Sequence, residues 1–210
     1  MMKPTIFIVD DDDSVRESLA ALLLAKGFEA VVFASAEAFL QGYRPPASGC
    51  AIVDMRMPGM DGISLLEHLR ARSIMLPVIV VTGHGDVPLA VRAMKAGAND
   101  FIEKPYTNAD ILQAVNKTLQ AAPAGLLPDV DVAEARTRIA SLTGRERDIL
   151  QQLIIGNPNK VIAHQLSISP RTVEIHRANL MKKMDADSLS HLIRMALAAG
   201  FPGSDPADAR

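Results

Sequence analysis

The sequence predicts an α/β domain with a doubly wound five-stranded parallel sheet, followed by a small all-α domain of four helices. Apolar runs without period-two alternation recur through residues 1–120, with helical patterns between them, whereas residues 141–200 show helical patterns alone. The two parts also differ in charge. Residues 1–120 hold 11 Lys+Arg and 14 Asp+Glu, giving −3, and residues 141–199 hold 8 and 5, giving +3. These observations indicate two domains with different partners.

Five short apolar runs are the predicted strands. Residues 6–9, 51–53, 78–81 and the weaker run 101–102 are typical of parallel strands that are covered on both faces. A fifth run, residues 30–33, is expected nearer an edge of the sheet. Strand and helix alternate five times, which is the pattern of a doubly wound α/β domain.

Helix signals lie between these runs. A capping box that starts at Ser14 opens the first helix, and Gly27 ends it. Later helices are predicted after Asp61, at Asp86 and at Thr107, where capping residues precede apolar residues at helical spacing. Local signals therefore agree with the alternation of strands and helices.

The domain boundary is predicted from composition. Residues 121–128 contain two prolines and a glycine, so residues 121–140 are interpreted as an interdomain linker, with 132–140 more compatible with a helix. The first domain then spans 1–120, the second 141–200, and residues 201–210 form a tail that frays. The sequence shows neither an apolar run of about 20 residues nor a secretion signal at its start, which favours the cytoplasm and no membrane contact.

Five polar residues follow the predicted strands of the first domain: Asp10, Asp11, Asp54, Thr82 and Lys104. The carboxyl ends of parallel strands meet at one crevice, so three carboxylates, a hydroxyl and an ammonium group should converge there. Ionised carboxylates at close range repel each other by a few kcal/mol, and one lysine does not balance three acids. All-oxygen ligands in an open cleft predict Mg²⁺ as the cofactor.

Asp54 is the predicted phosphoacceptor of this crevice. It stands alone at its strand end, whereas Asp10 and Asp11 are adjacent and better placed to hold a metal ion and its waters. A carboxylate beside Mg²⁺ and an ammonium group can attack a phosphoryl group, whose charge the two cations neutralise. Thr82 could donate a hydrogen bond to the bound phosphoryl group.

These residues carry a resemblance to the receiver domain of bacterial two-component response regulators, over about residues 4–120. The matching positions are Val9-Asp10-Asp11, Asp54 with Pro58 and Gly62, Thr82-Gly83, and Lys104-Pro105. The resemblance implies phosphorylation of Asp54 by a sensor histidine kinase, with the Arg56 backbone carbonyl as a further Mg²⁺ ligand. It also implies Lys104 on the phosphoryl group, Thr82 and Phe101 as the switch pair, and a cis Lys104-Pro105 bond. Phe101 departs from the commoner tyrosine.

The second domain reads as a helix-turn-helix module. A capping box at Thr143 opens a helix that Gly156 ends, and Ser169-Pro170 opens a longer helix over residues 171–184. In that helix, Val173, Leu180 and Met184 share the core face. The opposite face is a candidate surface for the DNA major groove and holds Arg171, Ile175, Ala178 and Lys182, bordered by Glu174.

Three runs of the second domain resemble the LuxR-type DNA-binding domain: Leu142-Thr143-Gly144-Arg145-Glu146-Arg147, Asn159-Lys160-Val161-Ile162-Ala163 and Ser169-Pro170-Arg171-Thr172-Val173-Glu174-Ile175-His176. Together with Thr82-Gly83-His84-Gly85, they make the chain most similar to the FixJ subgroup. Gly144 and Asn157-Pro158 are mild departures. The predicted DNA-binding residues are Lys160, Arg171, Thr172, Glu174, Ile175, Ala178, Lys182 and Lys183. The family commonly dimerises through the last helix, here through Leu189, Leu192, Ile193 and Ala196.

The leading hypothesis is a phosphorylation-controlled transcription regulator, not an enzyme, that dimerises and binds double-stranded promoter DNA, with RNA polymerase as a further partner. Two alternatives stay open. Asp11-Asp12-Asp13-Ser14-Val15 fits the nucleophile motif of haloacid-dehalogenase-like phosphatases, although a later acidic metal pair is missing. An adaptor that acts through protein contacts alone would show no salt-dependent binding to duplex DNA.

Overall fold

The computed structural model describes residues 3–46, 48–83, 87–120 and 130–201. Contacts divide the chain into two compact units, Met1–His84 with Ala96–Leu126 and Gly85–Lys95 with Leu127–Arg210. The elements are β1 (Thr5–Val9), α1 (Asp13–Ala25), β2 (Glu29–Phe33), α2 (Ala36–Gly42), β3 (Gly49–Asp54), α3 (Gly62–Ala71), β4 (Val78–Thr82), α4 (Val87–Lys95), β5 (Asp100–Glu103), α5 (Asn108–Gln120), α6 (Val132–Ala140), α7 (Gly144–Ile155), α8 (Asn159–Gln165), α9 (Pro170–Met184) and α10 (Leu189–Ala198).

The five strands form one parallel sheet in the order β2-β1-β3-β4-β5. This confirms the doubly wound five-stranded sheet. The strand order reverses direction at β1, which pairs with both β2 and β3, and in such sheets the functional crevice lies at the carboxyl ends beside this switch point. The residue after β1, Asp10, and the last residue of β3, Asp54, are therefore brought to the same edge.

Burial along the sheet explains the sequence pattern of each strand. β1, β3 and β4 are buried almost throughout, so their residues are apolar on both faces. β2 is an edge strand, and Val31 and Val32 there are exposed. The edge position predicted for residues 30–33 is confirmed.

The first helix begins two residues earlier than predicted. Asp12, not Ser14, is the N-cap of α1, because the Asp12 carboxylate accepts hydrogen bonds from the backbone N–H groups of Ser14 and Val15. Ser14 instead lies in the first turn, and its hydroxyl donates to Asp12. The predicted capping box is wrong in register because two capping residues stand close together and only the backbone geometry decides between them.

The helical unit has its own apolar core. Buried side chains from α6, α7, α8, α9 and α10 meet there, among them Ala135, Ile149, Leu153, Leu180 and Leu192. The unit therefore includes α6, which the sequence analysis assigns to the linker. Burial of Ala135 and Ile139 explains why residues 132–140 have a helical pattern.

The ends of α7 and α9 follow the sequence signals. Thr143 and Glu146 form the predicted capping box of α7, and Gly156 ends that helix at φ 97°, in the left-handed region that favours glycine. α8 and α9 are joined by a short turn, and the Ser169 hydroxyl accepts the N–H of Thr172 to cap α9. The predicted helix-turn-helix is thus present.

Within the described ranges, no helix is both long and apolar enough to cross a membrane. Three sequence predictions lie outside the described residues: the proline-containing part of the linker at 121–129, the tail at 202–210, and the start of a helix at Asp86.

Candidate functional site

The acidic edge of the sheet brings together a lysine and two carboxylates. Lys104, just after β5, places its Nζ 2.6 Å from Oδ1 of Asp54 and 3.6 Å from Oδ2 of Asp10. Asp54 and Asp10 are buried, whereas Lys104 keeps about a third of its side chain exposed. One ammonium group therefore bridges the two acids that β1 and β3 deliver to this edge.

Backbone groups fix the two carboxylates in position. The second oxygen of Asp54, Oδ2, accepts the N–H of Arg56 at 2.7 Å, and Oδ1 of Asp10 accepts the N–H of Asp12 at 2.9 Å. The Arg16 guanidinium, from α1, donates to the carbonyl of Asp10 at 2.6 Å. The sequence alone does not point to Arg16, because a cation in the first turns of a helix predicts only a surface charge.

The charges in the pocket shift the pKa values of its members. Burial raises the pKa of Asp10, and the neighbouring Asp54 charge adds to the increase, while the Asp12 N–H and Lys104 oppose it. Burial alone would lower the pKa of Lys104, but its hydrogen bond to Asp54 and the two nearby carboxylates raise it. Lys104 therefore stays protonated in this pocket.

Thr82 is the last residue of β4, beside this pocket, and its polar side chain is buried in the sheet. Its side chain is 1% exposed, and its hydroxyl has no hydrogen-bond partner among the described residues. A buried hydroxyl without a partner costs about 1–3 kcal/mol. The Thr82 hydroxyl is therefore able to donate a hydrogen bond to an oxygen atom of a bound ligand. Phe101, on the neighbouring strand β5, is half-buried.

The donor set fits a hard cation such as Mg²⁺. Asp10 and Asp54 offer carboxylate oxygens, and the exposed Asp11 follows directly on Asp10. Asp10, Asp11 and Asp54 together carry three negative charges against the single charge of Lys104, so a divalent ion would reduce the repulsion among them. In the part of the chain that the structure describes, however, no three acid, histidine or cysteine side chains are already grouped to hold a metal.

The loop after Asp54 is held by contacts that the sequence analysis did not predict. Gly62 opens α3 so close to β3 that a Cβ atom there would lie 2.6 Å from the carbonyl oxygen of Asp54. Glu37, from α2, accepts the N–H of Met60 at 3.0 Å. No sequence signal points to Glu37, because α2 has only seven residues, too few for helical spacing to predict it.

The exposed face of α9 forms a second candidate site. Arg171, Glu174, Ile175 and Ala178 line an open concavity of about 500 Å³. Ile175 is 56% exposed, although Val173, Leu180 and Met184 on the other side of the helix are fully buried. The division of the helix into two faces follows the sequence pattern. Thr172 is half-buried, and its hydroxyl lies 2.8 Å from that of Ser169.

The predicted phosphate-contacting lysines have different surroundings. Lys160 and Lys182 are exposed and form no ion pair with any described residue. Lys183 donates to Oε2 of Glu146 at 2.7 Å, and the Glu146 side chain is only 5% exposed. This hydrogen bond is the main cause that lowers the pKa of Glu146 to about 2. Lys183 thus connects the end of α9 to the start of α7.

The four residues predicted for dimerisation lie largely inside the chain. Leu192, Ile193 and Ala196 have no exposed surface, and Leu189 is partly buried against the core of the helical unit. A dimer contact through them would require this face of α10 to be uncovered first.

Comparisons with known proteins find a family match for each of the two domains. A family profile described as "Response regulator receiver domain" matches residues 6–116, and one described as "Bacterial regulatory proteins, luxR family" matches residues 140–196. The chain is 50% identical over 197 residues to the transcriptional regulatory protein FixJ of Rhizobium meliloti, covering 94% of this chain and 97% of that protein. The chain belongs to the FixJ group of response regulators.

Other relatives of this response regulator span nearly its whole length. FixJ of Azorhizobium caulinodans is 51% identical over 203 residues, covering 96% of each chain. Full-length FixJ from B. japonicum superimposes with a TM-score of 0.54 at 42% identity and covers 96% of this chain and 100% of that one. The response regulator StyR gives the same TM-score at 44% identity, covering 93% and 99%. A receiver domain joined to a LuxR-type domain, as in the FixJ transcriptional regulators, makes this chain a transcription regulator and not an enzyme, which disfavours the phosphatase alternative.

Proposed function

We propose that this response regulator accepts a phosphoryl group on Asp54 from a sensor histidine kinase, dimerises, and binds promoter DNA to regulate transcription in the cytoplasm. The observation that carries the proposal is the pocket in which Lys104 bridges Asp54 and Asp10 at the carboxyl edge of the sheet. A receiver domain and a LuxR-type domain in one chain support the link from kinase to DNA.

Asp54 is the nucleophile of the proposed phosphoryl transfer. A carboxylate oxygen of Asp54 forms a bond to phosphorus while the bond from phosphorus to the imidazole nitrogen of the kinase breaks. The released imidazole takes a proton from solvent. The Arg56 N–H keeps Oδ2 of Asp54 oriented, and Lys104 moves from the carboxylate to the phosphoryl oxygens. The cation thus stays close to the negative charge throughout.

Asp10, Asp11, Asp54 and the backbone carbonyl of Arg56 are the proposed Mg²⁺ ligands. When bound, the ion supplies charge neutralisation on the equatorial phosphoryl oxygens. Asp10 is already held in place by the Asp12 N–H. Its pKa, raised by burial, makes a nearby cation favourable because a cation stabilises the ionised form.

Thr82 and Phe101 are the proposed switch residues. The Thr82 hydroxyl, which has no partner among the described side chains and backbone groups, gains one by donating to a phosphoryl oxygen. Because this hydrogen bond needs the phosphoryl group, phosphorylation shifts the equilibrium between inactive and active conformations. Phe101 lacks a hydroxyl, so it can contribute through a change of rotamer only.

The α9 face is the proposed DNA-reading surface. Arg171, Glu174, Ile175 and Ala178 would face base edges, while Lys160, Thr172, Lys182 and Lys183 would lie near the phosphates. Dimerisation through α10 would place two copies of α9 on two half-sites. RNA polymerase is a further proposed partner at the promoter.

The test combines modification and binding on the full chain. After treatment with acetyl phosphate and Mg²⁺, mass spectrometry should locate a single phosphoryl group on Asp54, and an Asp54→Asn variant should gain none. Gel shifts with duplex DNA over a range of salt concentrations should show tighter binding after treatment of the wild type alone. Modification at another residue, or turnover of phosphate esters that depends on Asp11, would contradict the proposal.

A further inference from the structure

Glu174 is the one acidic residue of α9, and it lies on the face that otherwise carries cations and apolar groups. A carboxylate on a DNA-binding surface repels the phosphate backbone, so it weakens sequence-independent binding. Its presence in the concavity beside Arg171 and Ile175 therefore calls for a favourable contact that offsets this repulsion.

Helix neighbours do not neutralise Glu174. Arg171 precedes it by three positions, a spacing that allows an ion pair, yet neither side chain has an ion pair or hydrogen bond with any other described residue. Arg177 follows by three positions but donates to Oδ1 of Asn159 at 2.6 Å. The residue four positions on is Ala178, which carries no charge. The carboxylate therefore keeps its full accepting capacity at the surface.

The surroundings of Glu174 allow close approach to a base edge. Ala178 provides little bulk, and the carboxylate stands at the wall of an open concavity of about 500 Å³. Arg171 and Lys182 lie three helical turns apart, about 16 Å along the axis, so cations occur on both sides of the concavity. A major groove about 12 Å wide with phosphates on either side matches this arrangement.

Base chemistry selects the partner of the carboxylate. Guanine and thymine present acceptors in the major groove that repel a carboxylate. Adenine presents an amino group, but its N7 acceptor lies beside it. Cytosine presents an amino group with no neighbouring acceptor of its own, so it is the base that a carboxylate accepts from without a penalty.

We propose that Glu174 is a specificity-determining residue that selects cytosine at one position of each half-site, by accepting a hydrogen bond from the cytosine 4-amino group. The proposal rests on the proposed function, because it needs α9 in the major groove. A wrong base at this position should weaken binding by about tenfold to a hundredfold, the range for a good side-chain contact to a base.

The test selects duplexes from a randomised pool with the full chain treated with acetyl phosphate and Mg²⁺. Wild type should enrich cytosine at one position in each half-site. Glu174→Ala should lose the preference at that position and keep the others, and it should bind random duplex more tightly because a repulsive charge is gone. Glu134→Gln, which removes an exposed acid of α6 outside the concavity, is the matched control and should select the wild-type sequence.

A second measurement tests the contribution of the cytosine 4-amino group to binding. In the selected duplex, cytosine is replaced by 2-pyrimidinone, which lacks the 4-amino group. The replacement should weaken wild-type binding about tenfold or more and leave Glu174→Ala nearly unchanged.

Equal losses in both proteins, an unchanged selected sequence for Glu174→Ala, or loss of preference at every position would each overturn the proposal. Failure of wild type to select any sequence would instead contradict the proposed function itself.

Discussion

The ion pair between Glu146 and Lys183 provides a direct test of what holds α9 in place. Glu146→Gln removes the charge but keeps an oxygen that can accept the Thr143 N–H, so the capping box of α7 survives. The hydrogen bond from Lys183 is the largest cause that lowers the pKa of Glu146 from 4.5 to about 2. At about 1.4 kcal/mol per pKa unit, a shift from 4.5 to about 2 corresponds to at most about 3.5 kcal/mol. Because 40% of the Lys183 side chain is exposed, solvent screening reduces the expected loss to about 1–2 kcal/mol.

Hydrogen exchange with mass spectrometry measures this loss in the full chain. At about pH 7, Glu146→Gln should lower the opening free energy of amides in α7 and α9, and leave those of β1 and β3 unchanged. A depressed carboxyl pKa stabilises the fold above its unfolded value of 4.5, and the stabilisation is lost as pH falls toward 2. The difference between the two proteins should therefore shrink over that range.

Glu134→Gln is the control for this experiment, since Glu134 pairs with Arg138 at the surface and should contribute less than about 0.5 kcal/mol. Equal effects of the two substitutions, or a difference that does not depend on pH, would refute the reasoning.

Three further predictions concern single side chains. Gly62→Ala should destabilise the receiver by about 2 kcal/mol or more in urea unfolding followed by tyrosine fluorescence, because its Cβ would clash with the backbone of Asp54; equal stability would contradict the close approach. Thr82→Val should stabilise the unmodified receiver by about 1 kcal/mol, since it removes a buried hydroxyl without a partner among the described groups, and should shorten the lifetime of the phosphoryl group; a longer lifetime would contradict its role. Lys182→Met should reduce the salt dependence of DNA binding by about one phosphate contact, whereas Lys183→Met should lower stability and change that slope less, because Lys183 is also bonded to Glu146; a larger change of slope for Lys183→Met than for Lys182→Met would contradict this order.

The fold was predictable because its signals are local. Buried parallel strands need apolar residues on both faces, and this leaves runs such as residues 6–9 and 78–81 visible in the sequence. Polar residues directly after such runs then identify the pocket, since all strands of a parallel sheet deliver their last residues to one edge. Asp54 and Lys104 are 50 positions apart, yet topology alone predicts their meeting.

Contacts between distant side chains were not predictable in the same way. Glu146 signalled a capping box, and nothing in that motif indicates that its carboxylate also binds Lys183, 37 positions later. Apolar residues on α10 could equally fill a core or an interface, because helical spacing does not distinguish the two. Leu192 and Ala196 are core residues in this chain, so their dimer role remains a prediction.

The shared position of Lys104 has a practical consequence for comparing variants. Because its ammonium group touches both Asp54 and Asp10, converting Asp54 to an amide still leaves the lysine opposite an ionised acid. Lys104 keeps a carboxylate partner, and the amide can still accept the N–H of Arg56. Asp54→Asn should therefore stay folded, so any failure to respond to a phosphoryl donor can be attributed to the missing nucleophile and not to a collapsed pocket.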